Sequence, residues 1–228
     1  MYDLHIANKN YSSWSLRPWV LMTALDIPFT EHMHYFQNGG QHGFDSFSPS
    51  ALVPCLVDGE TAVWDSLAIV EYLYESHPAV WPASKAARAY ARSAAAEMHS
   101  GFGTLRSICS MTVGQRIKLN DTPPALVRDL ARLDTLWNHG FTHFGGPYLA
   151  GDAFTAVDAF FAPVAFRVQT YALGFELSET ARAYVDRLLG HPALVKWYTE
   201  ALKETQRDLD HEAGQARVGT VIEDLRAA

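Results

Sequence analysis

Cysteine is scarce in this chain: Cys55 and Cys109 are the only two among 228 residues. Two thiols far apart in sequence make no disulfide scaffold, and they predict a reducing, cytoplasmic setting. Positive charge is short as well. Eighteen Lys and Arg stand against 25 Asp and Glu, for a formal net charge of −7. A nucleic-acid partner therefore has no electrostatic support. No apolar run reaches the roughly 18 residues of a membrane span. Asp3, His5 and Lys9 interrupt any apolar core of a secretory leader. There is no internal repeat and no low-complexity tract. Ten histidines are present, and His32 and His34 share one face of a predicted strand. A zinc site needs three or four ligands and a supporting shell, and no Cys or carboxylate cluster supplies them. No metal is predicted.

What is present is a large apolar complement, 48% of residues, enough for a sizeable core. The most informative stretch runs from Ser48 to Leu73. Cys55, Leu56 and Val57 form a short apolar run. Asp58-Gly59 signals a hairpin turn, because Gly tolerates positive φ. Thr61 to Trp64 returns as a strand. Asp65 or Ser66 then stands as N-cap before Leu67, Ala68, Ile69 and Val70. Pro54 sits at the strand mouth, where a residue without an N–H is accepted. It reads either as a plain trans turn proline or as a cis one. In the cis form the backbone of Val53 faces outward and can pair with a peptide-like ligand.

Upstream, Tyr2 to Ala7 alternates as a strand does. Asn8 to Ser15 has loop composition. Leu16 to Leu25 reads as a helix, and Pro18 places its start near Ser15 to Arg17. Phe29 to Tyr35 is a second strand. After Pro78 the character changes. Ala79 to Ala86 reads as a linker, and helical periodicity dominates beyond it. Expected helices cover Ala87 to about Arg106, Pro124 to Gly140, Ala181 to Leu189 and Ala193 to Leu209. A further one opens at Thr155, with Asp158 completing a capping box. Gly214 to Ala228 reads as a loosely held tail.

Taken in order, these features resemble a soluble glutathione transferase over nearly the whole chain. The run Ser12-Ser13-Trp14-Ser15-Leu16-Arg17 is similar to the Ser-Ser-Cys-Ser-x-Arg signature of the zeta class, which includes maleylacetoacetate isomerases. Val53-Pro54 matches the family's cis-proline. Asp65-Ser66 matches its acidic-then-Ser pair for the γ-glutamyl group. The resemblance implies an α/β thioredoxin-like N-terminal domain over 1–78, a linker over 79–86 and an all-α C-terminal domain over 87–213. It implies glutathione as substrate or cofactor, with Gln41 and His42 near its glycine carboxylate. It also implies a homodimer. Thr155 and Asp158 take structural roles at a helix cap, and Arg17 is likewise structural.

The chemistry so implied is thiol activation. A free thiol has a pKa of about 8.5, and only its thiolate is a good nucleophile. Lowering that value by about two units takes roughly 2.7 kcal/mol. One charge-assisted hydrogen bond of about 1.5–3 kcal/mol, with a helix N-terminus worth about 0.3–1 kcal/mol, covers it. Ser12 is the expected donor and Ser13 the second. Trp14, in the place of the zeta-class cysteine, removes any protein thiol from that position. With Met98, Phe102 and Arg106, Trp14 is expected to line a pocket for a small hydrophobic electrophile. Conjugation and isomerisation both fit. A non-catalytic carrier or regulatory interaction protein on the same fold is the alternative.

Overall fold

A computed structural model describes residues 1–37 and 43–227. Gln41 and His42, expected near the glycine end of glutathione, lie outside the described residues.

The N-terminal part builds from β1 (Tyr2–Ala7), α1 (Ser13–Ala24), β2 (Phe29–His34), β3 (Cys55–Asp58), β4 (Thr61–Trp64) and α2 (Ser66–Tyr74). The sheet order is β2-β1-β3-β4, with β1 and β2 parallel and the other two pairings antiparallel. The parallel pair needs a crossover, and α1 supplies it. Gly59 turns the β3–β4 hairpin at φ 61°. Helix α1 begins two residues earlier than Ser15, with Ser12 as its N-cap. Pro18 thus lies in the second turn, where it has no N–H to give the Trp14 carbonyl.

The second part is largely helical: α3 (Lys85–Ser100), α4 (Gly103–Ile108), α5 (Pro124–Phe144), α6 (Ala156–Tyr171), α7 (Glu179–Leu189), α8 (Pro192–Lys203) and α9 (Leu209–Val218). Helix α6 is buried almost all round, as expected for a helix apolar on every face. Its capping box forms as expected between Thr155 and Asp158. Asp158 is wholly buried and accepts from Leu149 N–H, Thr155 N–H and the Tyr184 hydroxyl. Among the described residues no helix is long and apolar enough to cross a membrane.

Three expectations are corrected here. The long helix from Ala87 to Arg106 breaks at Gly101 and Phe102, with Phe102 at φ 53°. A Cβ at Gly101 would sit 2.7 Å from the Glu97 carbonyl oxygen, so the turn needs glycine. The helix expected over Ala193 to Leu209 ends at Lys203, and α9 restarts at Leu209. The supposed tail is α9 together with β6 (Gly219–Asp224), which pairs antiparallel with β5 (Gln115–Leu119). The C-terminal part therefore carries a two-stranded ribbon besides its helices.

The loop after β1 is tied to the helical part by a dense polar set. Lys9 is buried and bridges Glu31 of β2 and Glu200 of α8. Its ammonium also lies 4.8 Å from the Trp19 ring centroid and 5.4 Å from that of Trp197. Glu204 accepts the Lys9 and Asn10 N–H groups at 2.6 and 3.0 Å. Asn10 in turn accepts from Gly114 N–H and donates to the Ala201 carbonyl. These bonds hold the segment that ends at Ser12.

Candidate functional site

Two cavities meet beside the N-terminus of α1. The smaller, about 340 Å³, is lined by Trp14, Leu52, Val53, Pro54, Trp64, Asp65 and Ser66 among others. The larger, about 520 Å³, takes Ser12, Ser13, Trp14, Leu52, Val53, Arg106, Arg167 and His211 into its wall. Trp14, Leu52 and Val53 belong to both.

The Val53–Pro54 bond is cis. The Val53 N–H and C=O make no hydrogen bond to the described residues, so they stand free for an extended ligand. At the far end Asp65 caps α2, accepting Leu67 N–H at 2.7 Å from a backbone at φ 73°. Its side chain stays 44% exposed, open to a ligand ammonium. Ser66 is buried, with its Oγ accepting from Arg17 at 3.3 Å. The free N–H groups of the α2 N-terminus favour a carboxylate there.

Ser12 lines the larger cavity, which shares Trp14, Leu52 and Val53 with the smaller one. Its hydroxyl donates to Ser15 Oγ at 2.7 Å and accepts the Ser15 N–H at 3.4 Å. Ser15 Oγ also accepts Ala7 N–H. Turning the Ser15 hydroxyl toward Ser12 frees the Ser12 O–H for a ligand anion and polarises it. The Ser13 hydroxyl makes no hydrogen bond to the described residues.

Trp14 is a partition between the cavities. The Arg17 guanidinium lies 4.1 Å from its ring centroid and that of Arg106 5.4 Å. Arg17 is therefore more than the structural residue the sequence implied. It is 1% exposed, its Nε has no partner among the described residues, and burial followed by the nearby Arg167 and Arg106 pushes its pKa down to about 9. Burial brings Arg167 down to about 10. Arg167 donates to the carbonyls of Cys109 and Pro163. Two guanidiniums, Arg106 and Arg167, thus line the larger cavity, while Arg17 lies buried against the Trp14 ring, with Asp65 the carboxylate that acts on it.

The sequence-predicted pocket is half corrected. Trp14 and Arg106 line the larger cavity, whereas Met98 is wholly buried and Phe102 is 7% exposed, both within the hydrophobic core. Helix α3 packs against α6, and the break at Gly101 and Phe102 sets Arg106 on a separate short helix, α4. Sequence reasoning missed Arg167, His211 and His99. His99 of α3 stands 3.4 Å from Asp65 and 3.5 Å from Arg17. Both cysteines are buried, and burial pushes the Cys109 thiol up to about 12 and raises that of Cys55. Neither is suited to act as a nucleophile.

Comparison with known proteins bears on the same residues. The family model for the glutathione S-transferase N-terminal domain matches residues 11–76, and that for the C-terminal domain matches 112–200. A probable maleylacetoacetate isomerase of Vibrio cholerae is 30% identical over 193 residues, covering 77% of this chain and 84% of the relative. A maleylacetoacetate isomerase of Dictyostelium discoideum is 26% identical, covering 88% and 95%. Among solved structures, a glutathione transferase homologue from Burkholderia with bound glutathione superposes with a TM-score of 0.65 at 20% identity, covering 88% of this chain and 97% of that one. At that identity the likeness speaks for the fold. With both family models in order along the chain and a relative at 30% identity, the chain belongs to the glutathione S-transferase family.

Proposed function

We propose that this transferase holds glutathione in the smaller cavity and presents its thiolate to a small anionic electrophile in the larger one. The observation that carries the reading is the seam: Trp14, Leu52 and Val53 line both cavities, and Ser12 lines the larger one with them. Val53 offers its backbone to the peptide, Asp65 its carboxylate to the ammonium end, and Ser66 with the α2 N-terminus the carboxylate end. Glutathione supplies the thiol; Ser12 supplies the hydroxyl that favours its anion, with Ser13 as second donor. Arg106 and Arg167 favour an acidic second substrate, such as the relatives' name indicates. Addition to a conjugated double bond, with or without return of the thiol, fits this arrangement. A homodimer in a cytoplasmic setting completes the reading. Exposed Leu52 and Trp64 at the smaller cavity offer apolar contact area for the second copy.

The test is retention on immobilised glutathione, then conjugation of a chromogenic aryl halide and of an unsaturated keto acid. Retention with faster turnover of the acidic acceptor is expected. Failure to be retained contradicts the glutathione reading. Light scattering that gives one 25.3 kDa chain contradicts the homodimer.

A further inference from the structure

Helix α9 carries an aspartate–histidine pair to the wall of the larger cavity. Asp208 caps the helix: its Oδ1 accepts the N–H groups of Asp210 and His211, each at 3.2 Å. Its Oδ2 takes the His211 Nδ1 at 3.2 Å. A carboxylate on Nδ1 sets the tautomer and leaves Nε2 as the exchanging nitrogen. His211 Nε2 has no hydrogen-bond partner among the described residues. The imidazole lines the cavity together with Ser12, Ser13, Arg106 and Arg167.

The ring is also held in place. Its centroid lies 5.3 Å from that of Tyr11, the residue before Ser12, and 6.4 Å from that of Phe36. Glu212, next along α9, accepts from the Tyr11 hydroxyl at 2.7 Å and pairs with Arg226. Arg226 donates to the same Tyr11 oxygen at 2.7 Å. The ribbon of β5 and β6 backs this contact. The family-model matches end at residue 200, so this wall lies outside the shared pattern.

We propose that His211 is a catalytic proton donor and acceptor for the second substrate; the inference rests on the transferase reading above. Addition of a thiolate to a double bond conjugated with a carbonyl forms one C–S bond and moves the π pair onto the carbonyl oxygen. That oxygen needs a proton. Protonated His211 gives it from Nε2 and is left as neutral imidazole. In isomerisation the former double bond rotates, and His211 takes the proton back. The carbonyl re-forms, and the C–S bond breaks with its pair returning to sulfur. In conjugation the enol tautomerises through water, and water reprotonates the imidazole. No other reactant is consumed.

Two electrophiles separate this role from the rest of the site. Benzoylacrylate needs the proton, whereas a chlorodinitrobenzene expels chloride with its own electron pair and needs none. His211→Gln is expected to lower kcat on benzoylacrylate by about 10²-fold or more, the ordinary scale of general acid–base catalysis. The loss on the aryl halide is expected to be at least tenfold smaller. Asp208→Asn keeps the helix cap, since Asn caps as well as Asp, and is expected to show the same bias at smaller size. Thermal unfolding of both variants checks folding, and the comparison stands on Asp208→Asn if His211→Gln does not fold. Equal losses on the two electrophiles overturn the His211 role and leave the transferase reading standing. A wild-type chain inert toward both electrophiles overturns the two together.

Discussion

Ser12 and Ser15 share a 2.7 Å hydrogen bond at the first turn of α1, and Ser15 is held in turn by the Ala7 N–H. The second serine therefore stands behind the first at the end of β1. Ser15→Ala should leave Ser12 in place but remove the group that polarises it. A net hydrogen bond of about 0.5–1.5 kcal/mol corresponds to a rise of up to about one unit in the apparent pKa of the bound thiol. The pH dependence of glutathione turnover reads that shift. A profile that overlays the wild type contradicts the relay.

Asp158 is a structural prediction. It is wholly buried and gathers the N–H groups of Leu149 and Thr155 and the hydroxyl of Tyr184. Asp158→Ala leaves those three donors unmet, so the loss should exceed the ~1 kcal/mol of an ordinary cap. About 2 kcal/mol or more is expected, at ~1–3 kcal/mol for each buried group left without a partner. Denaturant unfolding reads it directly. A midpoint equal to the wild type would mean the capping network carries no weight.

Acid sensitivity should trace to the sheet. His5 donates to or accepts from His34 at 3.0 Å, and the two rings stack on Phe47 at 4.2 and 4.3 Å between centroids. Burial first, then the neighbouring His32 and His34, pushes the His5 pKa down to about 4, and His34 is also lowered. In the unfolded chain a histidine titrates near 6.5. The folded state thus stays neutral where the unfolded chain takes up protons. The contribution is complete above about 6.5 and is lost as pH falls toward 4. Melting temperatures of His5→Phe should fall less than wild type across that window. Parallel curves would assign the acid limb elsewhere.

Short local chemistry made the elements around the site legible: a cap at Asp65-Ser66 before an apolar run, a proline at a strand mouth, and serines ahead of a helix. The cis state of Val53-Pro54 and the role expected of Ser12 came from the family resemblance, since local chemistry alone fits a trans proline and capping serines equally well. Residues that depend on how distant helices pack were not legible. Met98 and Arg106 look alike by spacing on one continuous helix, but the break at Gly101 and Phe102 sends one to the core and the other to the cavity. Arg167 sits in a helix that reads as pure core. His211 reaches the cavity because β6 finds β5 about a hundred residues upstream, a pairing no local pattern signals. The Arg226 side chain, paired with Glu212 and Asp224, anchors the segment read as a tail, and no local sequence pattern marks that pairing.

Titration of the glutathione thiol bound to the wild-type chain and to Ser12→Ala, followed by thiolate absorbance, tests the central claim most directly. The account predicts a wild-type value about two units below the free thiol's ~8.5 and a return of at least one unit toward it in the variant. A bound thiol that titrates alike in both proteins would contradict the assignment of Ser12.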